Sequence, residues 1–188
     1  VMMAGGGEGM GNLESTLEAL RATLPSNAQV VVICGRNKKL AARLASKEYP
    51  FKVIVNGFVN NMSEWMAASD CIITKAGPGT IAEALIRGVP LLLNGCVPCQ
   101  EEGNIPFVLE NQVGAFEKDP VKIAAIIGDW FGPNKKELAA MATRAKALGR
   151  PHATYRIVRD LASLAEGDYS KVQFLSEHSP KEGELLMA

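Results

Sequence analysis

Val30-Val31-Val32-Ile33-Cys34 is an unbroken apolar run, closed by Gly35. A strand with one wet face alternates polar and apolar residues, whereas a strand that is apolar throughout is covered on both faces. Shorter segments over 1–4, 53–55, 71–74 and 91–93 read as further strands. Helical patterns fill the gaps between them. Leu13, Leu17, Leu20 and Leu24 recur at helical spacing until Pro25-Ser26-Asn27 breaks the pattern, and Leu40, Ala41 and Leu44 mark a second helix. Met62, Trp65 and Met66 give a short third, and a fourth is predicted from Thr80 to the Gly88-Val89-Pro90 stop. Buried strands alternating with helices specify an α/β fold, a Rossmann-like parallel sheet with helices on both faces.

Beyond residue 104 the pattern is mainly helical. Helices are predicted over 104–110, 120–131, 135–148 and 152–164, with one short strand over 114–116. From Gly167 onward the chain is polar and aperiodic, with Pro180 and several Glu, Lys and Ser. The expected organisation is one ligand-binding domain over 1–166 and a poorly ordered tail over 167–188.

The 188 residues suffice to bury a core, and 20 basic residues balance 20 acidic ones. That balance argues against a nucleic-acid partner, which calls for a basic stripe. No apolar run approaches the roughly 18 residues of a membrane span, and no signal peptide is visible. The first strand starts at Val1 with no leading Met, which reads as part of a longer protein. Cys34 and Cys71 lie in apolar runs and read as buried small hydrophobes. Cys96-Val97-Pro98-Cys99 is a lone C-x-x-C, and His152 and His178 do not supply the second pair that zinc requires, so no metal is expected. The free thiols imply a reducing compartment.

Residues 74–83, Thr-Lys-Ala-Gly-Pro-Gly-Thr-Ile-Ala-Glu, carry the strongest functional signal. A strand feeds a glycine loop, and Thr80 stands three residues before Glu83 in the spacing of a capping box. Unpaired N–H groups and the dipole at a helix N-terminus make an anion site, and glycine lets a phosphate come close. Lys75 adds a mobile positive charge, so the predicted ligand is phosphorylated. Glu83 has two readings: the capping partner of Thr80, or a carboxylate receiving a ribose diol.

The loop over 5–11 holds five glycines in seven residues but fits no G-x-G-x-x-G, and there is no G-K-[ST]. It reads either as a tight turn or as backbone facing a ligand. Gln100-Glu101-Glu102-Gly103-Asn104 follows the fifth strand, where open α/β sheets bind ligands. It is either a solvated loop or a set of amides and carboxylates suited to sugar hydroxyls. Phe58-Val59 is either core or backbone for a flat base edge.

Together, the run 73–94, the glycine loop, Ile33-Cys34-Gly35-Arg36-Asn37-Lys38-Lys39-Leu40, Gln100-Glu101-x-Gly103-Asn104 and Asp129-Trp130-Phe131-Gly132-Pro133 resemble the monogalactosyldiacylglycerol synthases of plants and algae, in glycosyltransferase family 28. The similarity runs from Val1 to about Ala165. More distantly, the chain resembles the bacterial transferase that adds N-acetylglucosamine in peptidoglycan synthesis. The resemblance implies the C-terminal, donor-binding half of a GT-B glycosyltransferase, one that moves galactose from UDP-galactose to diacylglycerol with inversion. It further implies a donor pocket of Gly6 and Gly7, Phe58 and Val59 for uracil, and Lys75 with Gly77, Pro78, Gly79, Thr80 and Ile81 for the diphosphate. Glu83 would take the ribose, and Gln100, Glu101 and Asn104 the galactose. UDP-galactose is a substrate, and no cofactor is implied. Diacylglycerol contacts and the catalytic base are implied for an N-terminal half outside this sequence, so no base is named here. The full enzyme would be peripheral to the chloroplast envelope membrane, with room for a homodimer. The alternative is a non-catalytic, soluble UDP-sugar-binding subunit that docks on a membrane partner.

Overall fold

The structure, a computed structural model, describes residues 1–6 and 12–167. It divides into two units, residues 1–149 and 150–188. The first holds strands β1 (Met2–Ala4), β2 (Gln29–Ile33), β3 (Lys52–Asn56), β4 (Ile72–Thr74), β5 (Leu91–Leu93) and β6 (Gly114–Phe116). Its helices are α1 (Leu13–Leu20), α2 (Lys38–Ala45), α3 (Met62–Ala67), α4 (Pro78–Arg87), α5 (Asn104–Glu110), α6 (Pro120–Phe131) and α7 (Lys135–Leu148). The second unit contributes α8 (Ala153–Ala165), which exposes Tyr155, Ile157, Val158 and Leu161. The tail predicted over 167–188 lies outside the described residues, apart from Gly167 itself. No helix among the described residues is long and apolar enough to cross a membrane.

The six strands are all parallel, in the order β3-β2-β1-β4-β5-β6. Period-2 alternation divides their apolar side chains between two cores. Met3, Val30, Val32, Ile73 and Leu92 face one core with α1, α2 and α6, while Met2, Ala4, Ile33, Ile72, Leu91 and Leu93 face the other with α3, α4 and α5. Helices therefore cover both faces, as an unbroken run such as 30–34 requires. Gly114 shows how tightly the last strand sits: a Cβ there would lie 1.8 Å from the Leu91 carbonyl oxygen.

The strand order places the ligand end. From β1 the chain steps outward to β2 and β3, then crosses back to β4 on the other side of β1. The loops leaving β1 and β4 consequently diverge at their carboxyl ends, and open α/β sheets bind ligands in the crevice at this reversal. Those loops are the glycine loop after Ala4 and residues 75–77.

Candidate functional site

Three segments meet at the reversal: the start of the β1 loop at Gly5-Gly6, the β4–α4 loop at Lys75-Ala76-Gly77, and the segment after β5 that carries residues 95–104. Gly6 has φ +69°, a conformation that favours glycine, and a Cβ there would stand 3.8 Å from Lys75 Cε. The predicted site residue Gly7 falls outside the described residues. The Ala76 N–H donates to the Gly95 carbonyl at 2.7 Å, which brings the β4–α4 loop against the segment after β5.

Helix α4 starts earlier than the sequence pattern suggested. Gly77 is its N-cap, Pro78 opens the first turn, and Thr80 is already helical. The capping box between Thr80 and Glu83 is thereby overturned. Proline at the first helical position, with no N–H to lose and φ preset, specifies the start two residues upstream. The first helical hydrogen bond runs from the Ile81 N–H to the Gly77 carbonyl at 3.0 Å, so the amides of Gly79 and Thr80 precede it. Pro78 and Gly79 are exposed and Ile81 is buried in the core. Glu83 is exposed on the helix, with no partner for its carboxylate among the described residues.

Lys75 leaves the end of β4 and its ammonium pairs with Glu101 Oε1. The pair lies over Gly77: a Cβ there would be 3.1 Å from Lys75 Nζ and 3.6 Å from Glu101 Oε1. Glu101 Oε2 accepts the Val97 N–H at 2.8 Å, so both carboxylate oxygens are engaged. The Glu101 side chain is only 9% exposed, against 35% for Lys75. Burial by itself would raise the Glu101 pKa, but the hydrogen bonds from Lys75 and Val97 outweigh it and hold the carboxyl below its ordinary value. Asn104 donates from Nδ2 to the Ala76 carbonyl at 2.9 Å. Of the three residues expected to face a sugar, Glu101 and Asn104 thus brace the loops, and Gln100 is exposed.

Phe58 and Val59 separate. Val59 packs on the core beneath α4, whereas Phe58 is 65% exposed and its ring carries the Arg36 guanidinium 5.6 Å from its centre. The core reading therefore holds for Val59 and fails for Phe58. Arg36, at the end of β2, is a cation beside this ring that sequence reasoning did not single out, although its place after the strand-closing Gly35 was a signal.

Cys34 and Cys71 are buried and free, and burial pushes the Cys71 thiol up to about 12, which leaves it inert. Cys96 is half-buried against the core, and Cys99 is exposed in a turn with φ +64°. No group of three or more His, Cys, Asp or Glu side chains among the described residues gathers as a metal ion would need.

Comparison with known proteins matches these features to one family. The profile of the glycosyltransferase family 28 C-terminal domain matches residues 1–113. Monogalactosyldiacylglycerol synthase 1, chloroplastic, of Arabidopsis thaliana is 51% identical over 170 residues, covering 87% of this chain and 32% of its own length. The chain therefore spans about a third of the curated relatives it matches. Among solved structures, MurG of Acinetobacter baumannii superposes with a TM-score of 0.66 at 19% identity, over 84% of this chain and 48% of that one. A putative UDP-N-acetylglucosamine 2-epimerase of Listeria monocytogenes gives 0.67 at 19% identity, over 88% of this chain and 44% of that one. At such identities the two structures share the fold alone.

Proposed function

This chain belongs to the glycosyltransferase family 28 C-terminal domains, and from that premise we propose that it is the UDP-galactose-binding half of an inverting galactosyltransferase that makes monogalactosyldiacylglycerol. The observation that carries the reading is the 51% identity, over 170 residues, to a chloroplastic synthase of that name. The geometry supports it independently. A donor diphosphate seated at the start of α4 meets the Gly79 and Thr80 amides, the positive end of a helix of ten residues, and the Lys75 ammonium. Glu83, on the first turns of the same helix, has its carboxylate open to a ribose diol. The exposed Phe58 ring and the backbone at Val59 suit uracil, with Gly6 closing the other side. Gln100 and the free amide oxygen of Asn104 suit galactose hydroxyls.

Opening of the glycosidic bond to the diphosphate develops negative charge on the leaving oxygens. The chain's own groups can carry that charge: the fixed amides at the start of α4 need no reorganisation, and the Lys75 ammonium adds positive charge beside them. Deprotonation of the acceptor hydroxyl, and the binding of diacylglycerol at a membrane surface, fall to regions beyond these 188 residues. The chloroplastic names of the relatives support the same compartment for this protein.

Calorimetric titration of the 188-residue chain with UDP in the presence of chelator tests the site. Binding without added metal is expected. A requirement for magnesium or manganese, or no binding at all, overturns the reading. The same chain given UDP-galactose and diacylglycerol should form no galactolipid, because positioning both reactants supplies much of a transferase's rate.

A further inference from the structure

We propose that Glu101 is a positioning residue of the phosphate site: its carboxylate competes with the donor diphosphate for the Lys75 ammonium and so weakens the hold on nucleotide. The inference rests on the donor-site reading above and gives Glu101 a different place within it.

The argument begins with the carboxylate. Glu101 is nearly enclosed, with Oε1 on Lys75 and Oε2 on the Val97 N–H. The Lys75 ammonium thus meets a fixed negative charge that the Val97 N–H holds in place. The ammonium, by contrast, is a third exposed and lies directly over Gly77, the N-cap of α4. A diphosphate close enough to accept from the Gly79 and Thr80 amides lies beside that ammonium. Lys75 therefore faces two anions, one fixed in the protein and one arriving with the ligand.

The consequence is a matter of charge. With Glu101 paired, Lys75 presents a compensated dipole, and the attraction left for the diphosphate comes from the helix end and whatever share of Lys75 the carboxylate gives up. After transfer the departing UDP carries more negative charge than the sugar-bearing donor. An uncompensated lysine would hold that product the harder of the two. A fixed carboxylate beside the lysine lowers affinity for both and favours release of product. Glutamine at this position would still accept the Val97 N–H, so the loop keeps its brace while the charge is removed.

The experiment is titration of wild type, E101Q and K75Q with uridine, UDP and UDP-galactose at low and high salt. The E101Q chain should bind UDP and UDP-galactose about tenfold tighter at low salt, with the gain shrinking at high salt and uridine unchanged. The K75Q chain, which lacks the ammonium, should bind both phosphorylated ligands more weakly and uridine equally well. Unchanged UDP with weakened UDP-galactose in E101Q would make Glu101 a sugar ligand and overturn the proposal. Weaker binding of both would make it a loop brace only, which also overturns it. Should E101Q fail to fold, the K75Q result decides: UDP affinity equal to wild type removes the lysine from the site and the proposal with it. A wild-type chain that ignores UDP sinks the donor-site reading itself, a failure distinct from wild-type binding that E101Q does not strengthen.

Discussion

At the amino ends of β1, β2 and β4 the sheet borders a cavity of about 470 Å³ lined by Trp65, Trp130, Phe131 and Leu138, among others. At the carboxyl ends of β1 and β4 loops meet, furnished with glycines, first-turn amides of α4 and the Lys75–Glu101 pair. The cavity stands at the end of the sheet away from the strand-reversal loops. Ligand pockets are commonly sought as the largest apolar hollow, but for an anionic ligand the relevant quantities are unpaired N–H groups and positive charge. Trp130 and Phe131 belong to the segment 129–133, which also resembles the synthases. Two motifs of one resemblance thus stand at different ends of one sheet, one built for packing and one carrying unpaired amides and charge.

Substitutions that affect one end alone test this division. The largest effect is expected from Trp130→Ala. The ring is 6% exposed within the core built on α1 and α6, and its loss should cost about 3–5 kcal/mol in denaturant unfolding. UDP affinity of the folded fraction should be unchanged, and a parallel loss of UDP binding would break the comparison. At the opposite end, Glu83→Gln should weaken UDP by about tenfold, or ~1.4 kcal/mol, and leave the melting point in place. With Gly77 as the N-cap, Glu83 has no capping role to lose, so a melting point that falls with unaltered UDP binding would defeat the ribose assignment. Asn104→Ala removes the hydrogen bond to the Ala76 carbonyl and should cost about 1 kcal/mol of stability. It sharpens the comparison, being a carboxyl-end residue with a measurable share in holding the loops.

The smallest effect concerns a surface cluster that belongs to neither end. Hydrogen bonds from Lys47, then Arg43, lower the Glu14 pKa, and Lys47 does the same for Glu18. A carboxyl whose folded pKa is depressed contributes stability above its unfolded value, and that contribution disappears as pH falls through the folded value. Replacing both by glutamine should flatten the stability profile slightly below the ordinary carboxylate value of 4.5. The pairs are exposed, so the change should shrink further in salt.

Most of the fold was legible because its signals are local. The helices at Asn104–Glu110, Pro120–Phe131 and Lys135–Leu148 and the strand at Gly114–Phe116 follow from periodicity and from prolines and asparagines at their starts. The start of α4 was misplaced because two rules competed for one stretch. Thr80 and Glu83 have the spacing of a cap, but Pro78 fits the first turn and Gly77 tolerates the junction. Within the site, a glycine loop feeding a helix start was readable from the sequence. The engagement of Glu101 with Lys75 and Val97 was not, because it depends on how β5 lies beside β4, and the sequence does not carry that neighbour relation. The same holds for Phe58 and Val59: adjacent residues after a strand face opposite ways, and pattern alone does not say which side is covered.

The place of β1 has a kinetic consequence. It is the central strand, pairing Met2 with Val31 on one side and with Ile72 on the other. Its second edge stays open until a segment far along the chain arrives, and such distant parallel pairings close late and slowly. A nascent or refolding chain therefore passes through a period in which a fully apolar strand, Met2–Ala4, has one bare edge. The step that buries this edge is the docking of β4, the same strand that delivers Lys75. Closure of this apolar edge and arrival of the loop that carries Lys75 are then a single event, so a chain stalled before it would lack both.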